Sequence, residues 1–231
     1  MLKEISFKGY AARIFVTTFG LVFAAYGVGL TVTAGLGVSP WDVFGQGVAK
    51  KLTEMLGVEV MMGTITQITA ALVIIADLFL KEKIGVATII DTLIFGGALN
   101  FFLKNSMLPY PESFAVKFVV MVLGYLVWSL GIAIYMQATL GAGPKDSLFV
   151  AFAKRRIPVA LAKNSIEAVV CLIGWLLGGT VGIGTLVCVF TMGSMIDLFF
   201  RMFKFDVTEA ENESVIETAK NIKMLISKQK I

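Results

Sequence analysis

The sequence predicts an all-α polytopic membrane protein built from two tandem repeats. It holds six long transmembrane helices, two short Gly/Pro-broken membrane helices and a cytoplasmic C-terminal amphipathic helix. Three observations carry that prediction. Apolar residues make up 57% of the 231-residue chain and charged residues 16%, while a soluble domain is nearer half and a quarter. The apolar residues come in runs long enough to span a bilayer. The stretch 34–51, AGLGVSPWDVFGQGVAKK, is echoed at 138–155 by ATLGAGPKDSLFVAFAKR.

The first run, 14–34, follows Lys3, Lys8 and Arg13. It has the length a spanning helix needs, roughly 20 residues, and is too long for the core of a signal peptide, so it reads as the first membrane helix. Further runs follow at 60–80, 84–103, 115–137, 162–178 and 183–203. Between the first two lies Ser39-Pro40-Trp41-Asp42, a good helix start. The serine hydroxyl accepts a backbone N–H, the proline gives up a donor the helix does not need, and the acid faces the positive end of the helix dipole. Gly143-Pro144-Lys145-Asp146 repeats the design with glycine at the cap. After residue 206 the chain turns charged, with Val215, Ala219, Ile222 and Ile226 at helical spacing. That tail reads as an amphipathic helix, lying on the membrane surface, against a partner, or solvated, which its charge pattern favours.

The repeat sets the domain organisation. Residues 16–51 shifted by 104 positions need no gap and match Gly20, Gly27, Pro40 and Asp42 to identical residues, and 84–104 aligns with 181–201 at a shift of 97. One membrane domain therefore consists of halves 10–104 and 114–201, followed by the tail 206–231. Transporters are commonly built this way, with the site between the halves. Gly20, Gly27 and Ala34, like Gly124, Gly131 and Ala138, put small residues on one helix face, which explains close helix packing and needs no chemistry. Arg13, Lys50 and Lys104 align with Lys117, Lys154 and Arg201. If the short helices dip and return, as the shortness of 38–49 suggests, the halves are inverted. Matched positive charge favours the alternative, parallel halves in which the broken segments cross, with both termini cytoplasmic. An extended turn plus a short helix reaches roughly 39 Å, enough for a core of about 30 Å.

The polar residues inside the apolar runs are the candidate site. Asp42 and Asp146 have two readings, as helix caps or as binding groups at membrane depth, where an ionisable side chain is costly. A pair of carboxylates at helix starts suits a cation, an amine or a proton better than a free anion. Trp41 and Gln67 are placed to contact a solute. Asp91 sits in mid-run with no basic residue within a turn, and with Glu167 it is a candidate for proton or cation coupling. Glu167 has the competing reading of an i−4 salt bridge to Lys163, Asp197 and Arg201 share that spacing, and Asp77 reads as an interfacial charge.

Several classes are set aside. The chain has no His, and Cys171 and Cys188 lie in apolar runs without a CxxC, so no metal, cofactor or disulfide framework is expected. HExxH, GxSxG and GxxxxGK[ST] are absent, and an enzyme is not expected. The net charge of +4 is spread in clusters between apolar runs and gives no reason to expect nucleic acid. The functional expectation is a small-solute transporter in the lipid bilayer, proton- or cation-coupled. The alternatives are an accessory or regulatory membrane protein acting through a partner protein or as a homo-oligomer, and a channel.

GLGVSPWD, then LGAGPKD and the stretch from Glu167 to Thr185 containing GWLLGGTVGIGT, resemble the YczE/YyaS/YitT group of bacterial membrane proteins, YczE most closely. The resemblance covers the whole membrane domain and leaves the tail as individual. It implies a multi-pass protein of a bacterial cell membrane, with transport the suspected activity and no solute assigned.

Overall fold

A computed structural model describes residues 7–145, 159–206, 210 and 212–228. Those residues form eight α-helices and no strand beyond a single bridge between Gly85 and Ser214. They are α1 (Phe7–Ala34), α2 (Pro40–Leu56), α3 (Met62–Phe79), α4 (Val86–Lys104), α5 (Phe114–Met136), α6 (Val159–Leu176), α7 (Ile183–Met202) and α8 (Val215–Lys228). Among the described residues, α1, α3, α4, α5 and α7 are long and apolar enough to cross a membrane. The sequence places a further span at α6, whose first half carries Lys163, Asn164 and Glu167.

Local chemistry accounts for most helix ends. Ser39 caps α2, its hydroxyl oxygen accepting from the Asp42 N–H at 3.3 Å, and Gly57 ends the helix in the left-handed region at φ +68. Thr88 and Thr185 occupy matched places in α4 and α7, each hydroxyl accepting at 3.2 Å from the N–H of the glycine three residues earlier. At 28 residues α1 is about 42 Å long and starts well before the apolar run. The tail packs on Tyr10 and Arg13 of its first two turns.

Helix directions follow from the contacts. α1 and α5 pack in opposite senses, Gly20 against Gly131 and Gly27 against Gly124, so closely that a Cβ on either glycine of α1 would strike the α5 backbone. α4 runs with α1: Tyr26 meets Phe102 edge-on at 5.2 Å, while Leu108, just past the end of α4, packs over Gly29. α3 runs against α4, and α7 runs with α5, where Tyr125 donates to Gly184 O at 2.9 Å and Ser129 to Met192 at 3.4 Å. α6 runs with α1. Each described helix of the second half is thus opposed to its aligned counterpart, contrary to the parallel halves expected from matched charge.

The first Gly/Pro segment does not cross either. After α1 the chain turns back through Gly35 and Gly37 (φ +66 and +104) to the middle of the bundle, where Pro40 and Trp41 stand beside Leu21 and Ala24. From there α2 returns toward the end at which α1 finished, packing against α3 through Gly45 and Thr66. The two Gly loops grip the opposite half in the same way. Gly37 lies on Gly182 and Gly141 on Gly85, while the Gly184 N–H donates to Leu36 O at 2.8 Å and the Ala87 N–H to Leu140 O at 2.9 Å.

The tail folds onto its own chain. Glu213 accepts from Arg13 Nη1 at 2.9 Å, from the Tyr10 hydroxyl at 3.0 Å and from Thr218 at 2.9 Å, and Ile222 and Leu225 pack against the cluster of Tyr10, Leu21 and Leu140. Ile222 of the predicted apolar face is used in this way. Ile226 is exposed, so the helix is rolled relative to that face and is not a solvated arm. Asp77 is likewise fully buried and does not face solvent as a surface charge.

Candidate functional site

A cavity of about 200 Å³ lies at mid-bundle, where the start of α2 meets residues 143–145 across the α1–α5 pair. Its charged and amide lining comes from both halves: Asp42, Gln67 and Asp91 from the first, Lys145, Lys163 and Glu167 from the second. Trp41, Phe95, Trp128 and Tyr135 supply aromatic walls. The volume suits a small solute rather than a polymer or a lipid tail.

Three of the polar groups and their partners show how the lining is held. Asp42 is 3% exposed, and its carboxylate accepts from the Ser39 hydroxyl at 2.6 Å. The cap of the helix is thus Ser39, which Asp42 braces from the first turn while lining the cavity. Gln67 donates to Leu93 O at 2.7 Å, fixing α3 to α4 while its side chain lines the wall. Lys163 and Glu167 form the expected i,i+4 ion pair at 2.9 Å, with the glutamate largely covered and the lysine half-exposed. Asp197 and Arg201, which share that spacing, form no ion pair among the described residues, and both are exposed.

Lys145 and Trp41 occupy aligned positions in the two loops, and here they touch. The ammonium stands 5.0 Å from the centre of the indole ring, a cation–π contact between the two halves. The Trp41 Nε1–H beside it is buried and has no acceptor among the described residues.

Trp41, Asp42, Gln67, Asp91 and Glu167 thus come to one cavity, although they lie on four different helices. Asp146 lies outside the described residues. Sequence reasoning missed Lys145 as a site residue and took Lys163 only as a structural partner. The signal for Lys145 was present, because the same 104-residue shift that pairs Asp42 with Asp146 pairs Trp41 with Lys145. Among the described residues no group of three or more His, Cys, Asp or Glu side chains is arranged to hold a metal ion.

Comparison with known proteins agrees with the sequence resemblance. Residues 11–201 match a family described as "Family of unknown function (DUF6198)". An uncharacterized protein of Haemophilus influenzae is 30% identical over 190 residues, covering 82% of this chain and 84% of its own. The uncharacterized membrane protein YczE of Bacillus subtilis is 30% identical over 176 residues, 75% of this chain and 79% of its own. YyaS of the same organism is 29% identical over 187 residues, 78% and 88% of the two chains. No solved structure matches. The family match runs from within α1 to the end of α7 and stops before the tail, and on that match the chain belongs to this membrane protein family of unknown function.

Proposed function

We propose that the protein is a membrane transporter for a small polar or charged solute, built from two inverted repeats and binding its solute in the cavity between them. The observation that carries this reading is the cavity itself. It lies at the middle of the bundle and is lined by charged residues from both halves, beside a helix that starts there. Residues 10–104 and 114–201 form the repeats, related by an axis in the membrane plane, with α2 a re-entrant helix entering from the end opposite the tail. Irregular backbone at that depth is tolerated where it is buried in protein or lines a cavity, which fits the Gly37 loop.

The end of the bundle carrying the tail, Lys81, Lys83, Arg201 and Lys204 is richer in Lys and Arg than the end carrying Lys50, Lys51, Lys104 and Lys117. The tail and the start of α1 are accordingly assigned to the cytoplasm of a bacterial cell. Asp42 and Lys145 hold opposite charges of the solute, Trp41 and Gln67 contact it, and Asp91 and Glu167 take up the coupling proton or cation. The docking of the tail on its own chain supports this reading over an accessory role that acts through the tail.

The test is a solute panel screened by thermal shift on purified protein, followed by flux into proteoliposomes. A solute that raises the apparent melting temperature of the wild type should bind about tenfold more weakly or worse to Asp42→Asn and Lys145→Met. Flux should lose its pH dependence in Asp91→Asn. Wild-type binding and flux in all three folded variants would sink the reading.

A further inference from the structure

The two halves are aligned in sequence but not equally closed. At the end of the bundle away from the tail, α3 and α4 are sealed together. Gly63 and Gly96 each lie against the other's carbonyl oxygen, with no room for a Cβ. Asn100 completes that seam, its Oδ1 accepting from the Gly63 N–H at 2.9 Å and its Nδ2 donating to Thr64 at 3.0 Å. The aligned helices of the second half are α6 and α7, and their matching positions lie at the tail end. There α6 and α7 make no comparable seam. Gly193, the counterpart of Gly96, is exposed, with no atom within 4 Å of where a Cβ would stand. Asn164 and Asp197, the counterparts of Thr64 and Asn100, are both exposed and make no hydrogen bond to each other.

The open seam nevertheless carries the chemistry of the closed one. It has a glycine at the crossing point and an amide and a carboxylate where the closed seam has a hydroxyl and an amide. An exposed carboxylate within the span of an apolar helix is costly and calls for a partner in some state of the protein. Cavity residues stand on both sides of the gap, Lys163 and Glu167 on α6 and Met192 and Ile196 on α7.

We propose that the α3–α4 and α6–α7 seams are the two gates of the cavity, and that they close in alternation by the same interlocking contacts. Among the described residues the structure is then the state in which the α3–α4 seam is closed and the α6–α7 seam is parted. In the opposite state Gly193 meets the α6 backbone near Lys163, Asp197 accepts from Asn164, and the Gly63–Gly96 contact parts. Because α6 has Lys163 where α3 has Gly63, the tail-side gate closes on one glycine instead of two and seals less tightly. This inference rests on the transporter reading, and it adds to that reading which helices move and what holds each state.

The experiment uses the full chain in native membrane vesicles, with Cys171→Ser and Cys188→Ala as background. One cysteine pair replaces Thr64 and Asn100, the other Asn164 and Asp197, and a short bifunctional thiol reagent joins each. Both pairs are expected to cross-link. Locking 164 to 197 should make a Gln67→Cys reporter reactive to an impermeant maleimide from the side away from the tail, at least severalfold above its rate with 64 locked to 100. Gly193→Leu, which has room in the present state, should abolish the 164–197 cross-link and spare the other. A 164–197 pair that never joins while 64–100 does would overturn the proposal, as would simultaneous joining of both pairs in one molecule. No solute is needed for this readout, so a rigid seam overturns the gates and leaves the transport reading to the flux measurement.

Discussion

The Gly loop after α1 and the Gly loop after α5 share a design and differ in what holds them. In each, a glycine at large positive φ (+104 at Gly37, +116 at Gly141) lets the backbone lie flat against a glycine of the other half. In each, the carbonyl before that glycine accepts from the helix it touches. The second loop has a further set of bonds. Arg13 Nε donates to Ala138 O at 2.6 Å, Arg13 also reaches Thr139, and the Glu213 N–H donates to Thr139 O at 3.0 Å. The tail thus straps the loop that presents Lys145, while the loop that presents Asp42 is held by the Val38 N–H donating to Thr180 O at 3.4 Å and by no tail contact among the described residues. The two loops make equivalent joints, and the tail makes them unequal.

The largest expected effect tests the shared part. Gly37→Ala and Gly141→Ala would each force an L residue to large positive φ with its Cβ 2.6 Å from facing backbone. Each should cost roughly 3 to 5 kcal/mol, or prevent folding, by thermal or denaturant unfolding in detergent. Only Gly141→Ala should also raise the mobility of a spin label at Ser227→Cys on α8. A label that responds equally to both would show that the strap does not belong to the second loop.

A smaller effect isolates the strap. Glu213→Ala removes the acceptor of Arg13, Tyr10 and Thr218 and leaves the arginine partly buried. It should weaken tail docking by roughly 2 to 3 kcal/mol, seen as label mobility at position 227, with the Gly37 loop untouched.

The smallest effect is pH. Burial pushes the Glu213 carboxyl up, but hydrogen bonds from Arg13, Thr218 and Tyr10 and the charge of Arg13 outweigh it and hold it below its ordinary value of 4.5. Glu217 is held down to about 2, first by the Ser214 N–H and hydroxyl and then by Lys83. Both folded values lie below the unfolded one, so their contribution is complete above about pH 4.5 and fades as the pH falls toward 2. Label mobility at 227 should be flat between neutral pH and about 5 and rise below that. A rise confined to neutral pH would mean that other groups hold the tail.

Much of the architecture was legible in the residues. The apolar runs located the long helices, the Ser39-Pro40 signature located the start of α2, and the twin loops pointed to the residues that line the cavity. These are local properties: hydropathy over about 20 residues, a cap over four, an alignment read along one chain. Lys145 escaped because it was read as part of a helix start, when its contact is with the aligned Trp41 of the other half. The roll of α8 escaped because Ile226 and Ile222 satisfy the same period, and only the position of Tyr10 and Arg13 selects which one is covered.

The sequence by itself determined that this chain is helical, apolar enough for a membrane, and interrupted after its first apolar run by a loop that starts a capped helix. The tertiary structure decided the sense of the helices, the return of α2 and the inequality of the two seams. The physical reason is distance along the chain. Matched Lys and Arg residues weigh the same whether the halves are parallel or opposed, whereas a glycine fitted against a backbone 56 to 145 residues away fits in one orientation only. That fit sets Gly37 on Gly182, Gly85 on Gly141 and Gly20 on Gly131, and it places Asp42 and Lys145 in one cavity.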